Sequence, residues 1–317
     1  MNILVTGGAG FIGSHLCERL IAKGERVVCL DNFHPFYSPG IKRQNLAAIL
    51  SHPSFRLVEG DIRNSGDLDK CFADGGIDLV IHLAAMAGVR PSIENPLLYA
   101  GVNISGTQQV LLACQKYGVK RMLFASSSSV YGNKEGGSFR ETDPVDQPVS
   151  PYAATKRAGE LVCYNQSRLM DMSIVCLRFF TVFGPRQRPD LAIHKFTRLL
   201  YEGSPIPVYG DGSTSRDYTY IDDTIDGVLK AIDYIGSHHG FEIFNLGESR
   251  TVSLAEMLAE LEKATGKQAL IDRQPLQPGD VAYTCADITI SREVLAYNPV
   301  WTFESGLKSF LDWYYKN

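Results

Sequence analysis

The chain has 317 residues, 44% of them hydrophobic and 21% charged, with a formal net charge of -4. That length exceeds what one core usually serves, so a large domain with a smaller companion is expected. The acidic balance, with no basic run anywhere, excludes a nucleic-acid partner. Seven cysteines, at 17, 29, 71, 114, 163, 176 and 285, show no CxxC spacing, which fits reduced buried thiols and gives neither a disulfide framework nor a metal site. The start, MNILVTGG, is not a signal peptide, and no apolar run approaches 18 residues, so the expectation is a soluble cytoplasmic protein with no membrane partner.

The first segment, ILVTGGAGFIGSHL from Ile3 to Leu16, is an apolar strand (Asn2 to Thr6) that stops in glycines spaced three apart and resumes as an amphipathic helix (Phe11 to Ala22). A glycine turn between a buried strand and a helix leaves backbone N–H groups and the positive helix end facing outward, a cradle for phosphate. Gly7, Gly10, Phe11, Ile12 and Gly13 are its candidate residues. The second strand, Arg26 to Asp31, ends in Asp31-Asn32, with Asp31 placed 18 residues after Gly13. A carboxylate there accepts both hydroxyls of an adenosine ribose and repels a 2′-phosphate, which points to NAD over NADP.

Strands at Phe55 to Glu59 and Leu79 to Leu83 lead into Asp61-Ile62 and His82-Leu83-Ala84-Ala85, at the carboxyl edge where doubly wound sheets bind ligands. Asp61, Ile62, Leu83, Ala84 and Ala85 join the cofactor set, because small residues let the backbone approach a dinucleotide. His82 lies behind the edge and reads as a satisfied core histidine. After a helix over Pro96 to Tyr117, the fifth strand, Arg121 to Ser126, runs into Ser126-Ser127-Ser128-Ser129-Val130-Tyr131-Gly132. The next helix, Pro151 to Leu169, opens with Tyr152 and Lys156 on one face. A phenol titrates near pH ~10 and needs a cation to act as a base near neutrality; Lys156 would supply that field, and Ser127 would share the proton of the same substrate oxygen.

A sixth strand covers Ser173 to Phe179. Unalternating apolar strands interleaved with helices mean a parallel sheet covered on both faces, so the fold class is α/β, a doubly wound Rossmann sheet. After Gly184 the rhythm breaks, with prolines at 185, 189, 205 and 207 and the turn YGDGS at 209–213. A helix over Ile221 to Ile235 and a strand over Glu242 to Leu246 return to the sheet, and helices follow at 253–265, 288–296 and 304–315. The expected division is a cofactor domain of 1–180 plus about 219–247, and a smaller, discontinuous α/β substrate domain of about 181–218 plus 248–317.

Together with RFFTVFGPRQRP (178–189), SRDYTYIDD (215–223), FNLG (244–247) and PGDV (278–281), these stretches resemble the extended short-chain dehydrogenase/reductases over essentially the whole chain, and among them the nucleotide-sugar epimerases. The resemblance implies NAD in the large domain and a nucleoside-diphosphate sugar in the small one. It puts Asn103 among the cofactor contacts together with Tyr152 and Lys156, the lysine touching the nicotinamide ribose, and Asp280 among the substrate contacts. It also implies a homodimer that pairs the helices at 96–117 and 151–169 through faces such as Leu98, Leu161 and Tyr164. The family's serine falls on Ser127. Arg188 and Arg216 suit a diphosphate, since guanidinium matches phosphate oxygens in a fork, whereas Arg186 reads as a solvated surface arginine.

Ser128-Ser129 stand where dehydrating relatives carry Asp-Glu and decarboxylating relatives a glutamate, and serine is neither acid nor base near neutrality. Transient oxidation and epimerisation at carbon 4 are what is left. AGVRPSIENP, SSSSVYG, RFFTVFGPRQRPD and SRDYTYIDD resemble the UDP-glucuronate 4-epimerases, and Thr181 and Gln277 depart from many neutral-sugar enzymes. Thr284 falls where the family varies a gatekeeping side chain. The expected function is NAD-dependent conversion of UDP-glucuronate to UDP-galacturonate without decarboxylation. Ser128, Ser129 and Thr181 would serve as short hydroxyl partners of the sugar, and Arg90 as the cation for its carboxylate. A 4-epimerase of neutral or N-acetylated UDP-hexoses and a non-catalytic NAD-binding scaffold are the alternatives.

Overall fold

Apolar residues on both faces of a strand demand cover on both sides, and the computed structural model, which describes residues 1–134, 136–275, 279 and 281–316, is arranged accordingly. The chain forms β1 (Asn2–Thr6), β2 (Arg26–Asp31), β3 (Phe55–Glu59), β4 (Leu79–His82), β5 (Arg121–Ser127) and β6 (Ser173–Phe179). It continues through the short β7 (Thr181–Phe183), β8 (Ile206–Tyr209), β9 (Ser215–Arg216) and β10 (Tyr218–Tyr220) to β11 (Phe241–Leu246), β12 (Val252–Ser253) and β13 (Ile271–Gln274). Seven of these make one parallel sheet in the order β11-β6-β5-β4-β1-β2-β3. The order reverses between β1 and β4, which opens a crevice beyond their carboxyl ends.

Alternate residues of β1 serve opposite faces. Ile3 and Val5 pack with Leu16, Leu20, Ile225 and Val228 from helices Phe11–Ala22 and Ile221–Ile235. Leu4 packs on the other side with Val110, Leu111 and Cys163 from helices Thr107–Lys116 and Pro151–Leu169. The expected strands and major helices fall within about a residue of their observed limits, the normal scatter of helix and strand ends. One exception is the helix over Pro96 to Tyr117, which is α at Pro96–Ala100, π at Gly101–Gly106 and α again at Thr107–Lys116. Crowding sits at that wide turn, where a Cβ on Gly106 would lie 2.6 Å from Ile62 Cδ1.

The smaller region holds three two-stranded sheets, β7 with β10, β8 with β13, and β9 with β12. It also holds the helix Ala192–Glu202, which the prolines at 189 and 205 hid from sequence reading; its buried stripe is Ile193, Phe196, Thr197 and Leu200, and Gly203 ends it in left-handed backbone (φ 66°). Among the described residues no helix is long and apolar enough to cross a membrane, and no group of three or more His, Cys, Asp or Glu could hold a metal.

Beneath the ends of β5 and β6 lies a buried ion pair. Glu160, 1% exposed, accepts from Ser126 Oγ (2.6 Å), Arg178 Nε and Nη2 (2.8 and 2.9 Å) and Arg157 Nη1 (3.1 Å). Removing one partner of such a pair strands a charge out of water. Glu160→Ala should therefore cost about 3–5 kcal/mol of unfolding free energy, read as a lower urea midpoint at constant slope.

Candidate active site

The cradle is built by backbone crowding. Gly7, at φ 73°, donates to Leu30 O (2.7 Å), and a Cβ there would lie 2.7 Å from Ala84 N. On Gly13 a Cβ would lie 2.3 Å from Gly7 O, so the turn and the helix close up only around glycine. Gly10 meets only Gly7 O, at 3.2 Å, and turns its open side to the crevice. No side chain caps the helix that begins at Phe11, which leaves its first N–H groups for an anion.

A cavity of about 490 Å³ runs along this edge, within the usual range of about 300–1,000 Å³ for ligand sites. Gly7, Gly10, Phe11, Ile12 and Gly13 line its floor, Asp31, Asn32, Asp61 and Ile62 one end, and Leu83, Ala84 and Ala85 the middle. Asp31 accepts from Phe33 N (2.8 Å, Oδ1) and Ala9 N (3.1 Å, Oδ2), and each oxygen keeps a lone pair for a ribose hydroxyl. Burial raises its pKa, against the pull of the Lys42 ammonium and the two N–H donors. Asp61 is held well below the usual carboxylate range, chiefly by its paired bonds from Arg63 (2.9 and 2.7 Å) and also by Asn32 Nδ2 (3.0 Å). These residues fit a dinucleotide: cleared backbone at a helix start, and a carboxylate at the end of the neighbouring strand.

His82 is the core histidine it reads as, bonded to Thr6 Oγ1 (2.7 Å) and Thr107 Oγ1 (3.0 Å), with burial pushing it down to about 3. Asn103 stands behind the cavity wall. Its side chain accepts from Met86 N (2.8 Å) and donates to Met86 O (2.9 Å) and Thr155 Oγ1 (3.0 Å), so it clamps the loop after β4 to the helix of Tyr152.

At the far end Ser127, Ser128, Ser129, Tyr152, Lys156 and Thr181 line the same space. Ser127 caps the turn after β5 by accepting from Ser129 N (3.2 Å). Burial raises the Tyr152 phenol; a hydrogen bond with Ser127 and the Arg188 charge oppose it. Lys156, 4% exposed, donates to Ala125 O at 2.7 Å, and burial lowers it to about 8. The i,i+4 spacing does put both side chains on one helix face. Lys156 lines the cavity with Tyr152 while its ammonium is bonded to Ala125 O, and the Arg188 guanidinium also lowers the phenol.

Arg188 enters the cavity from the loop after β7, held by Asp190 through two bonds (3.0 and 2.6 Å) and lying 5.1 Å over the Phe36 ring. Arg90 and Arg216 do not line the cavity. Arg90 sits exposed on the helix Val89–Glu94 with its guanidinium 4.2 Å over the Tyr209 ring, because the helical turn sweeps it outward after Val89. Arg216, in β9, donates to Ser215 O. Thr284 is buried, accepting from Asp217 N (3.2 Å) away from the cavity. Asp280 and Gln277 lie outside the described residues. Sequence reading missed Phe36, Tyr37 and Lys42, which also line the cavity; the first two lie in the irregular stretch after Asp31 and Lys42 on the seven-residue helix Pro39–Asn45, too short for its periodicity to mark it.

A model of the NAD dependent epimerase/dehydratase family matches residues 3–247. The chain belongs to that family. It is 39% identical to a UDP-glucuronate 4-epimerase of Thermodesulfobacterium geofontis, over 99% of this chain and 96% of that one. Among solved structures it is similar to a UDP-glucuronic acid 4-epimerase from Bacillus cereus in complex with UDP-glucuronic acid and NAD (38% identity, 100% and 99% of the two chains, TM-score 0.93). It is also similar to a UDP-glucose 4-epimerase from Thermotoga maritima with UDP-glucose (32%, 100% and 99%, TM-score 0.91).

Calorimetry should find NAD bound more tightly than NADP, because a 2′-phosphate would meet the Asp31 carboxylate, and Asp31→Ala should narrow the gap. Equal dissociation constants in the unaltered protein would remove Asp31 as the discriminating group.

Proposed function

We propose that the protein interconverts UDP-glucuronate and UDP-galacturonate by NAD-dependent epimerisation at carbon 4, without loss of carbon dioxide. The observation that carries this reading is a braced cation and a phenol lining one cavity: Arg188, held by Asp190 and Phe36, and Tyr152. In a hexuronate the carboxylate on carbon 5 neighbours the hydroxyl on carbon 4. Asp190 takes the Nε–Nη2 edge of Arg188, so the remaining N–H groups of the guanidinium are proposed to take the hexuronate carboxylate from a sugar whose 4-hydroxyl is at Tyr152. This moves Arg188 from the diphosphate to the sugar end, and Arg90, exposed on Tyr209, gives up that role.

NAD in the cavity supplies a reversible two-electron acceptor for the hydrogen on carbon 4. Tyr152 takes the proton of the 4-hydroxyl as that hydrogen leaves, and gives it back when the hydrogen returns to the other face. Ser127, which lines the cavity with Tyr152 and lowers the phenol, would keep the proton in line. Lys156 titrates at about 8, so near neutrality most of it is charged, and its bond to Ala125 O holds that charge under the reacting end of β5. The sugar must turn over between the two transfers, and Ser128, Ser129 and Thr181 offer short hydroxyls that can trade partners as it does. Arg216, in the smaller region, is read as a diphosphate partner.

The 4-keto uronate has its carboxylate β to a ketone, and it loses carbon dioxide when the bond to the carboxylate stands perpendicular to the carbonyl plane. Arg188 is braced by Asp190 and Phe36, and a braced guanidinium holds the carboxylate near the plane instead. A neutral-sugar epimerase would use the same Ser127, Tyr152 and Lys156 but would leave this cation without a sugar partner.

Two further parts of the reading concern assembly. Residues 1–180 with about 219–247 are taken as the cofactor domain, and about 181–218 with 248–317 as the substrate domain. Leu97 (86% exposed), Leu161 and Tyr164 form apolar surface on helices Pro96–Ala100 and Pro151–Leu169 that a second copy is proposed to cover; Leu98 instead packs partly against the core.

Incubation with a panel of UDP-sugars, read by NMR, should give reversible conversion of UDP-glucuronate to UDP-galacturonate, with full retention of a carboxyl-carbon label. Release of the label, or neglect of UDP-glucuronate beside rapid turnover of UDP-glucose, would refute the substrate assignment. Tyr152→Phe should abolish turnover while NAD binding stays within about twofold, and Ser127→Ala should slow it by about 10²- to 10⁴-fold. Wild-type turnover by Tyr152→Phe would show that another group moves the proton.

A further inference from the structure

Arg188 reaches the cavity from a loop that belongs to no strand or helix, and two residues earlier Arg186 holds φ at 65°. Left-handed backbone is unfavourable for an arginine and persists where surrounding contacts fix it. Here they do so from two sides. Toward the cofactor, Pro185 O accepts from His15 Nε2 (3.0 Å), and Arg186 pairs with Glu18 through Nη2 (2.7 Å) and reaches Ser14 Oγ (3.4 Å). Toward the smaller region, the buried Gln187 accepts from His194 Nδ1 through its carbonyl (2.6 Å) and from His194 N through Oε1 (3.3 Å).

The first set of contacts falls on one face of a single helix. Ser14, His15 and Glu18 are neighbours at i, i+1 and i+4 on Phe11–Ala22, the helix whose N-terminus is the glycine cradle. His15 is a neutral donor in this arrangement, since a carbonyl can only accept and burial lowers the ring to about 4. The Arg186 side chain is 21% exposed and that of Glu18 29%, so the pair is shielded enough to orient and accessible enough to be exchanged. Arg186 is thus not the solvated arginine that its sequence context suggests.

We propose that Arg186 is a positioning residue: its ion pair with Glu18 docks the loop of Arg188 onto the cofactor helix, so that one rigid helix fixes the dinucleotide and the sugar-facing cation in relation to each other. The proposal rests on the reading of Arg188 as the partner of the sugar carboxylate. Asp190 orients the guanidinium from within the loop, but it travels with the loop; the bonds from Arg186, His15 and Gln187 decide where the loop stands.

The test uses the NAD-loaded protein with Arg186→Met and, separately, Glu18→Gln. Hydrogen exchange is followed at the amides of Gln187 and Leu191, which donate to Gly184 O and Arg188 O (both 3.1 Å). Both variants should exchange there about tenfold faster, with the helix Phe11–Ala22 unchanged. In kinetics, kcat/KM for UDP-glucuronate should fall about tenfold, mostly through KM. Arg186→Lys should recover part of the loss, and the double charge swap Glu18→Arg with Arg186→Glu should outperform either of its single changes. Unchanged loop exchange in both first variants, or a charge swap no better than its singles, overturns the proposal. If the unaltered protein is inert toward UDP-glucuronate, the substrate reading fails while the exchange measurement still decides the docking role.

Discussion

The geometry of the site depends on one buried carboxylate. Glu160 gathers Ser126 at the end of β5, Arg178 at the end of β6 and Arg157 from its own helix. Four residues earlier on that helix, Lys156 donates to Ala125 O, the residue before Ser126. The strand end that presents Ser127 and the helix that presents Tyr152 are thereby pinned at two adjacent points, one ionic and one from ammonium to carbonyl. A buried ion pair is a weak source of net stability, because desolvation offsets much of its attraction. What it supplies here is register: β5, β6 and the helix cannot slide past one another without stranding a charge.

The charges that face the cavity are arranged along its length. Asp31 and Asp61 stand at the adenosine end, and Asp31 is tempered by Lys42. Arg188 and Lys156 line the same cavity as Tyr152, and the Arg188 charge also reaches Lys42 and Tyr37. Burial works against ionising Tyr152, and the neighbouring Ser127 hydroxyl and the guanidinium of Arg188 work for it. The same guanidinium that would hold a uronate therefore also biases the base.

How far the sequence was legible depends on where each feature has its cause. Strands β1 to β6 and the helices that cover them were readable because a two-face burial pattern is local and repeated. Gly7, Gly13 and Asp31 were readable because a turn too tight for Cβ and a strand-end carboxylate are fixed by neighbours in sequence. The place of Arg188 in the cavity of Tyr152, the sweep of Arg90 onto Tyr209 and the bond of Lys156 to Ala125 O were not, since each depends on the path of an irregular loop or the direction of a long flexible stem. The π turn around Asn103 was hidden for another reason: its packing partner at Gly106 is Ile62, 44 residues away in the chain. The helix Ala192–Glu202 was hidden by flanking prolines that read as loop punctuation.

Relatives of this fold differ in the fate of the sugar once carbon 4 is oxidised, and the residues after β5 show why the outcome can hang on so little. Carbon 4 oxidation acidifies the hydrogen on carbon 5 and makes an attached carboxylate labile, so the ketone is chemically able to eliminate, to lose carbon dioxide or to be reduced again. Elimination needs a base and an acid in place; here the two positions after Ser127 are Ser128 and Ser129, with no proton to trade near neutrality. Decarboxylation needs the carboxylate free to rotate; the cation proposed to face it, Arg188, is held by Asp190 and Phe36. Reduction asks only that the ring turn over while the phenol and the nicotinamide wait. On the proposed reading, an epimerase on this scaffold is defined less by a group it adds than by the two exits that its serines and its braced arginine would keep closed.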